Sequence, residues 1–371
     1  MGNTHRCAWA CGVERAALQR DRARQCQHGA DGVHPMSPRK MATALAIGVL
    51  FATVGGSVPA QASPAVNAAG VDETKSYTSA EGTLSYQVHL PPAFSAGQPL
   101  PVVVSLHGCG MTGFGFNSMK DLTNLNAVAD EKGFIVVYPT QDLLRGLPLN
   151  CWNGDEPEHQ RRDHGEPALI AGLTRQVVSD YGADPKRVHV NGASSGAGTA
   201  VIMGVTYPDL FASVTSMAGA EYAVNEANPL NPDEVGPVDT AKRAWAQMGN
   251  RARPVPVLVA QGDQDEPVPP FLADRLVTHW ATIDDLALNG VLDGDMDDTA
   301  DKTVDVALPG LKPYTHRSYF PEDGGDSLIE YIFVTGMGHT WPGPGSGPLV
   351  DNDGPDLARI MWDFAADRQL S

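Results

Sequence analysis

A serine flanked by glycines stands between a β-rich run and a helix of small residues. The sequence Gly-Ala-Ser-Ser-Gly occupies residues 192–196, directly after the β-rich run 187–191. This pattern is typical of a nucleophile elbow, a strained strand-to-helix turn in which glycines two residues from the serine avoid collisions with neighbouring segments. Ser194 is therefore the candidate nucleophile.

Candidate acids and a candidate base follow the serine along the chain. Asp263 and Asp265 lie just after one apolar run of strand type, and His339 lies just after another. Open α/β sheets place their sites at the carboxyl ends of their strands, so we expect these loops to meet beside Ser194.

The chemistry of acyl transfer assigns a role to each of these residues. A serine hydroxyl is a weak nucleophile, so a base must take its proton and a carboxylate must hold that base in the right tautomer. His339 is the predicted base. Either Asp263 or Asp265 could be the acid, and we prefer Asp265 because it stands further along the loop, at the turn closed by Pro267.

The oxyanion of a tetrahedral intermediate needs two preorganised N–H donors. One usually belongs to the residue after the nucleophile, here Ser195. The other usually comes from the loop after an early strand. Residues 107–110 read His-Gly-Cys-Gly and follow the apolar run 102–106. The amide of Cys109 is therefore the second predicted donor.

The N-terminal region has the features of an export signal. A positive start, an apolar stretch at 42–54 and Ala-Gln-Ala before Ser63 make residues 36–62 a predicted secretory signal peptide. The apolar stretch is too short to span a bilayer stably, so we expect cleavage and secretion rather than anchoring. We expect the true start at Met36 or, alternatively, at Met41, although a long disordered leader is the other interpretation.

The predicted domain therefore spans residues 63–371, with a leader at 1–35 and the signal peptide set apart. It keeps Cys109 and Cys151, and in an oxidising compartment we expect them to form a disulfide rather than remain free thiols.

The chain has 44 acidic and 26 basic residues and a formal net charge of −18, which disfavours binding to nucleic acid or anionic membranes. No cofactor, metal or protein partner is predicted.

Alternating strand and helix patterns predict an α/β domain. The apolar runs 102–106 and 134–138 read as strands covered on both faces, and helical patterns occur at 123–132 and 166–181. The polar, proline-containing segment 221–249 is expected to form a cap-like insertion or a long loop.

Five motifs together resemble the extracellular poly(3-hydroxybutyrate) depolymerase family of esterases, whose relatives include feruloyl and acetylxylan esterases. They are Leu-His-Gly-Cys at 106–109, Asn-Cys-Trp-Asn at 150–153, Gly-Glu-Pro-Ala at 165–168, the serine pentapeptide, and Gly-His-Thr-Trp-Pro-Gly at 338–343. The resemblance runs from about residue 82 to the C-terminus. Relatives usually carry His-Gly-Thr-x-Asp at the acid turn, whereas residues 261–265 read Gln-Gly-Asp-Gln-Asp.

The resemblance implies an α/β-hydrolase fold, with a mostly parallel sheet and helices on both faces. It also implies roles for residues already singled out: the triad Ser194, Asp265 and His339, the N–H donors of Cys109 and Ser195, and the disulfide Cys109–Cys151. Trp152 and Trp341 lie within two of these motifs, and each is expected either to contact substrate or to pack in the core.

The predicted function is that of a secreted serine esterase acting on short-chain polyhydroxyalkanoate polyesters or oligomers through an acyl-enzyme. No linker or second module follows His339 in the sequence, which favours amorphous polyester, oligomers or soluble esters over crystalline polymer. The alternatives are a feruloyl or acetylxylan esterase acting on plant polysaccharide and a catalytically silent secreted binding protein.

Overall fold

Ten strands of the described residues form one mixed sheet. The computed structural model describes residues 69–142, 149–224 and 234–371. The strands are β1 (Val71–Ser79), β2 (Gly82–Leu90), β3 (Val102–Leu106), β4 (Ile135–Thr140), β5 (Val188–Ala193), β6 (Ser213–Met217), β7 (Val257–Gly262), β8 (Lys302–Val306), β9 (Tyr314–Tyr319) and β10 (Ile329–Val334). Two short strands, β11 (Trp341–Pro342) and β12 (Val350–Asp351), pair separately.

The middle of the large sheet is parallel. Its order is β1-β2-β4-β3-β5-β6-β7-β10-β9-β8, and the segment from β4 to β10 in that order pairs in parallel. Antiparallel strands lie at both edges, with β1 and β2 on one side and β9 and β8 on the other. The loops that follow β3, β5, β6, β7 and β10 therefore leave from one edge of the sheet.

Helices cover both faces of the sheet. They are α1 (Met119–Thr123), α2 (Leu125–Lys132), α3 (Gly165–Tyr181), α4 (Ser195–Thr206), α5 (Pro237–Met248), α6 (Phe271–Asn289) and α7 (Leu357–Ala365). In β3, Val102 and Val104 belong to the core that includes α3 and α4, whereas Val103 belongs to the core that includes α2 and α7. Because successive side chains of a strand point to opposite faces, a strand covered on both sides is apolar throughout.

Two segments differ from the sequence-based expectation. The helix predicted at 123–132 is interrupted, because Asn124 adopts a left-handed conformation, with φ of 52°, between α1 and α2. The long loop that is one alternative for 221–249 is wrong for Pro237–Met248, where α5 buries Ala241 and Ala244 and packs against α6. The cap-like insertion stays a prediction. The apolar stripe of α5 is narrow, so its polar outer face dominated the composition of the segment.

Several predicted features lie outside the described residues: the leader at 1–35, the signal peptide at 36–62, and residues 225–233 of the predicted cap. The division of the chain into leader, signal and domain therefore stays a prediction. Of the helices that the structure describes, none combines the length and the apolar character needed to cross a membrane.

We expect His189 to make the fold sensitive to acid. It is buried in β5, where its Nδ1 lies 2.9 Å from Oγ of Ser213, and burial lowers its pKa to about 3. Between that pKa and about 6.5, the unfolded chain binds a proton that the folded chain excludes, so acidification favours unfolding by about 1.4 kcal/mol per pH unit for this group. His189→Asn should therefore lose about 2 kcal/mol less stability than wild type between pH 6.5 and 5.

Urea unfolding at several pH values, with the disulfide intact, measures this difference. Comparing each protein with itself removes any pH-independent cost of the substitution. Equal losses of stability in wild type and in His189→Asn would contradict the assignment.

Candidate active site

Ser194 lies on the sharp turn between β5 and α4. Its backbone has φ of 55° and ψ of −120°, a conformation that side-chain-bearing residues rarely adopt. A Cβ atom on Gly192 would overlap the carbonyl of Gly196, and one on Gly196 would overlap the carbonyl of Leu106 at the end of β3. The two glycines therefore allow the turn to pack against the neighbouring strand, as the pentapeptide predicts.

Asp265 and His339 meet at the same edge of the sheet. Asp265 follows β7 and is buried, and its Oδ2 accepts a hydrogen bond of 2.8 Å from Nδ1 of His339, which follows β10. Oδ1 of Asp265 accepts a further bond of 2.9 Å from the amide of Val268. The hydrogen bond between Asp265 and His339 fixes the orientation of the imidazole ring. Because Nδ1 donates to Asp265, Nε2 is the ring nitrogen that can act as a base.

Asp263 makes a different contact. Its Oδ1 accepts a hydrogen bond of 2.7 Å from the amide of Gly336, so it links the loop after β7 to the loop after β10. The structure thus brings Asp265 to His339 and gives Asp263 a place in the support of the two loops.

The loop after β3 approaches the serine closely. A Cβ atom on Gly108 would lie 3.3 Å from Cβ of Ser194, which places the backbone of this loop beside the elbow. Cys109 follows and is bonded to Cys151 in a disulfide. Ser195 is the first residue of α4, where backbone N–H groups have no partner within the helix. Both predicted oxyanion donors therefore lie next to Ser194.

The buried side chain of His107 supports the loop after β3 through hydrogen bonds. It is fully buried, its Nδ1–H donates to the carbonyl of Gly108 at 2.8 Å, and its Nε2 accepts from the amide of Gln141 at 3.0 Å. Burial lowers the pKa of His107 to about 4, so the ring is neutral at pH 7. One nitrogen that donates and one that accepts is the pattern of a neutral imidazole.

A buried carboxylate, Glu166, holds the segment that carries the other half of the disulfide. Its oxygens accept hydrogen bonds from the amide of Asn153 at 2.9 Å, from the side chain of Asn153 at 2.7 Å, and from Nε2 of Gln141. Burial raises the pKa of Glu166, and these donors oppose that effect by stabilising the charged form. No separate role was predicted for Glu166, although a glutamate aligned with Leu169 and Ile170 on one helix face is a signal of a buried acid.

Trp152 lies behind the oxyanion loop. Its indole N–H donates to the carbonyl of His107 at 3.0 Å, and the ring centroids of the two side chains are 5.2 Å apart. Trp152 belongs to the main core cluster and is not among the residues that line the cleft at Ser194. The expectation of direct substrate contact is therefore replaced by the alternative of core packing.

A cleft open to solvent lies over Ser194 and His339. Its walls are mostly apolar and include Met111, Met217 and Trp341. Trp341 is nearly fully buried, so it presents only a small surface to the cleft. Apolar walls of this kind suit the apolar part of a small ligand.

The chemistry available at this edge is that of acyl transfer. A serine on an elbow, a histidine held by a buried aspartate, and a backbone loop beside the serine provide the components of a covalent mechanism. In the part of the chain that the structure describes, no group of three or more His, Cys, Asp or Glu side chains is arranged to hold a metal ion.

We expect Glu166→Gln to lower the free energy of unfolding by about 1–3 kcal/mol. The NH₂ group of the glutamine would face N–H groups that now donate hydrogen bonds to the carboxylate. Urea unfolding of the disulfide-bonded protein measures the change. Glu158→Gln is the matched control, since Glu158 is exposed and its replacement should cost no more than about 0.5 kcal/mol. Equal stabilities of the two variants would contradict the role given to Glu166.

Known proteins share this sequence pattern. The family described as esterase PHB depolymerase matches residues 84–305. Poly(3-hydroxyalkanoate) depolymerase C of Paucimonas lemoignei is 30% identical over 277 residues, which is 72% of this chain and 61% of that protein. The chain therefore spans less than two thirds of the length of this depolymerase. Acetylxylan esterase A of Aspergillus ficuum is 29% identical over 254 residues, covering 65% of this chain and 76% of that protein.

A solved structure agrees with the fold. Acetyl xylan esterase from Aspergillus awamori superposes with a TM-score of 0.58 at 24% identity, covering 72% of this chain and 94% of that chain. Together with the parallel sheet flanked by helices, this likeness confirms the α/β-hydrolase fold. The family match covers more than half of the residues and includes Ser194 and Asp265, and the chain belongs to the esterase PHB depolymerase family.

Proposed function

We propose that this protein is a serine esterase that hydrolyses short-chain polyhydroxyalkanoate polyesters or their oligomers. The observation that carries the proposal is the arrangement at the sheet edge. Ser194 and His339 line one cleft, and Asp265 is hydrogen-bonded behind His339. Membership of an esterase family supports ester hydrolysis as the reaction.

In the proposed mechanism, His339 takes the proton of Ser194 as the hydroxyl oxygen attacks the ester carbonyl. The amides of Cys109 and Ser195 stabilise the oxyanion that forms. Collapse of the tetrahedral intermediate breaks the ester bond, and His339 returns the proton to the leaving alcohol. Water then attacks the acyl-enzyme by the same steps and releases the acid.

The apolar walls of the cleft support a short hydroxyacyl unit as substrate. Met111 and Met217 offer polarisable, adaptable surfaces to an aliphatic chain, and the open mouth leaves space for the rest of a polymer or oligomer. The similarity to a poly(3-hydroxyalkanoate) depolymerase points in the same direction.

The proposal includes secretion. A signal peptide at 36–62 would direct export, and residues 63–371 would form one catalytic domain after its removal. The disulfide between Cys109 and Cys151 supports an oxidising location, since disulfides are rare in reducing compartments.

A second candidate is an esterase of plant polysaccharides. The share of each relative that aligns with this chain favours this second candidate. The share is 74% for feruloyl esterase B of Talaromyces stipitatus, 76% for acetylxylan esterase A of Aspergillus ficuum and 61% for the depolymerase. A direct comparison of substrates distinguishes the two candidates.

We expect the disulfide-bonded protein to release 3-hydroxybutyrate from amorphous poly(3-hydroxybutyrate), and Ser194→Ala to lower that rate at least about a thousandfold. Ser95→Ala is the control, because Ser95 lies exposed on the surface. Methyl ferulate and acetylated xylan are assayed in parallel. Turnover of only these two would assign the second candidate, and no Ser194-dependent turnover of any ester would favour a silent binding protein.

The acid is tested by two matched substitutions. We expect Asp265→Asn to lower kcat about 10³- to 10⁴-fold, because the amide no longer holds the required tautomer of His339. Asp263→Asn should lower kcat less than about tenfold, because its remaining side-chain oxygen can still accept from Gly336. Steady-state kinetics on a soluble ester measures both, and a larger loss in Asp263→Asn would contradict the assignment.

A further inference from the structure

We propose that Gln261 is a positioning residue for the reaction, whose side-chain amide holds the Asp265 carboxylate in the orientation that His339 uses. This inference rests on the proposed function and extends it to a residue outside the triad and the oxyanion loop. Gln261 lies near the end of β7 and is fully buried.

Three oxygens surround the amide nitrogen of Gln261. Nε2 lies 3.1 Å from Oδ2 of Asp265, 2.9 Å from the carbonyl of Val268 and 3.3 Å from the carbonyl of Gly262. Each of these oxygens is an acceptor, so the side of the amide that faces them must be the NH₂ group. The contacts themselves therefore determine the orientation of the side chain.

The other end of the same amide gives independent support. Oε1 of Gln261 is buried and accepts no hydrogen bond from the described residues. A buried acceptor without a donor is unfavourable. The fold tolerates the unpaired Oε1 while the NH₂ group of Gln261 contacts the acid turn. This indicates that the hydrogen bonds of the NH₂ group determine the position of the side chain.

The contacts define the carboxylate of Asp265 from three directions. Oδ2 accepts from His339 and from Gln261, and Oδ1 accepts from the amide of Val268. Gln261 also binds the carbonyl of Val268, so a single amide connects the carboxylate to the turn that carries it. Without this donor, the carboxylate would keep the Val268 contact but could rotate about it, and the Nδ1 contact of His339 would lose its fixed partner.

A neutral amide suits this role because it donates at every pH. An amide does not titrate, so Gln261 would hold Asp265 in the same way across the pH range. The side chain can align Asp265 without adding a charge beside it.

A double-mutant cycle tests the inference. Gln261→Met removes the donors at nearly constant volume and should lower kcat on a soluble short-chain ester roughly tenfold to a hundredfold, as expected for a small misplacement of a reacting group. KM should change less than about threefold, because Gln261 is not among the residues that line the cleft. In an Asp265→Asn background, the same substitution should change kcat less than about threefold, since the group through which it acts is already altered.

Matched variants keep the test decisive. Gln264→Met is the control, because Gln264 is exposed on the same loop. Gln261→Glu is a second variant of unchanged shape, which replaces the donor by an oxygen, and it decides the outcome if Gln261→Met does not fold. It should lower kcat beside Asp265 but not beside Asp265→Asn, whose amide can donate to it.

Two results would overturn the inference: equal losses of kcat in both backgrounds, which indicate a structural role alone, or no loss in either. Thermal unfolding of each variant identifies losses that come from instability. If Ser194→Ala abolishes turnover while Gln261→Met and Gln261→Glu do not affect it, only this inference fails. If Ser194→Ala has no effect, the proposed function fails instead.

Discussion

The site depends on a close contact between the backbone of the serine turn and the end of β3. No side chain fits at Gly196, because Leu106 occupies that space with its carbonyl. This contact sets the direction of α4, the place of Ser194, and the separation between Ser194 and the loop that starts at His107. The relative positions of nucleophile and oxyanion loop therefore follow from two backbone segments in contact, and side-chain rotamers have little influence on them.

Buried polar groups then fix the loops on either side of this contact. His107 and Glu166 hold the oxyanion loop and the disulfide-linked segment, while Gln261 holds the acid turn. Apolar packing alone tolerates small rotations of a loop, but a hydrogen bond in a dry environment has a direction and is costly to break. Both ring nitrogens of His107 and both carboxylate oxygens of Glu166 are therefore paired, although the surrounding core is apolar.

Local signals made much of the fold predictable. The pentapeptide at Ser194 and the apolar runs before Asp265 and His339 are short patterns, and a parallel sheet brings their ends together whatever the length of chain between them. The sheet and the α/β-hydrolase fold are confirmed. The contact of His339 with Asp265 agrees with the predicted triad, although the catalytic roles remain proposals.

Other features depend on partners distant in sequence, and no local pattern reveals them. Whether Trp152 faces a cleft or the core is decided by His107, which lies 45 positions earlier in the chain. The role of Glu166 depends on Gln141 and Asn153, which precede it in other segments. Helix α5 was missed for another reason, since its few buried alanines carry a weak hydropathy signal.

The sheet order separates the strands that carry the acid and the base from the segment that forms β8 and β9. Asp265 and His339 are 74 positions apart, yet β7 and β10, which carry them, are direct neighbours. The intervening β8 and β9 lie beyond β10 at the outer edge. Insertions and deletions in the segment that forms β8 and β9 would leave the acid and the base in register. Related chains can therefore diverge in this segment while keeping one reaction. The same edge is a suitable place for an engineer to graft a binding module.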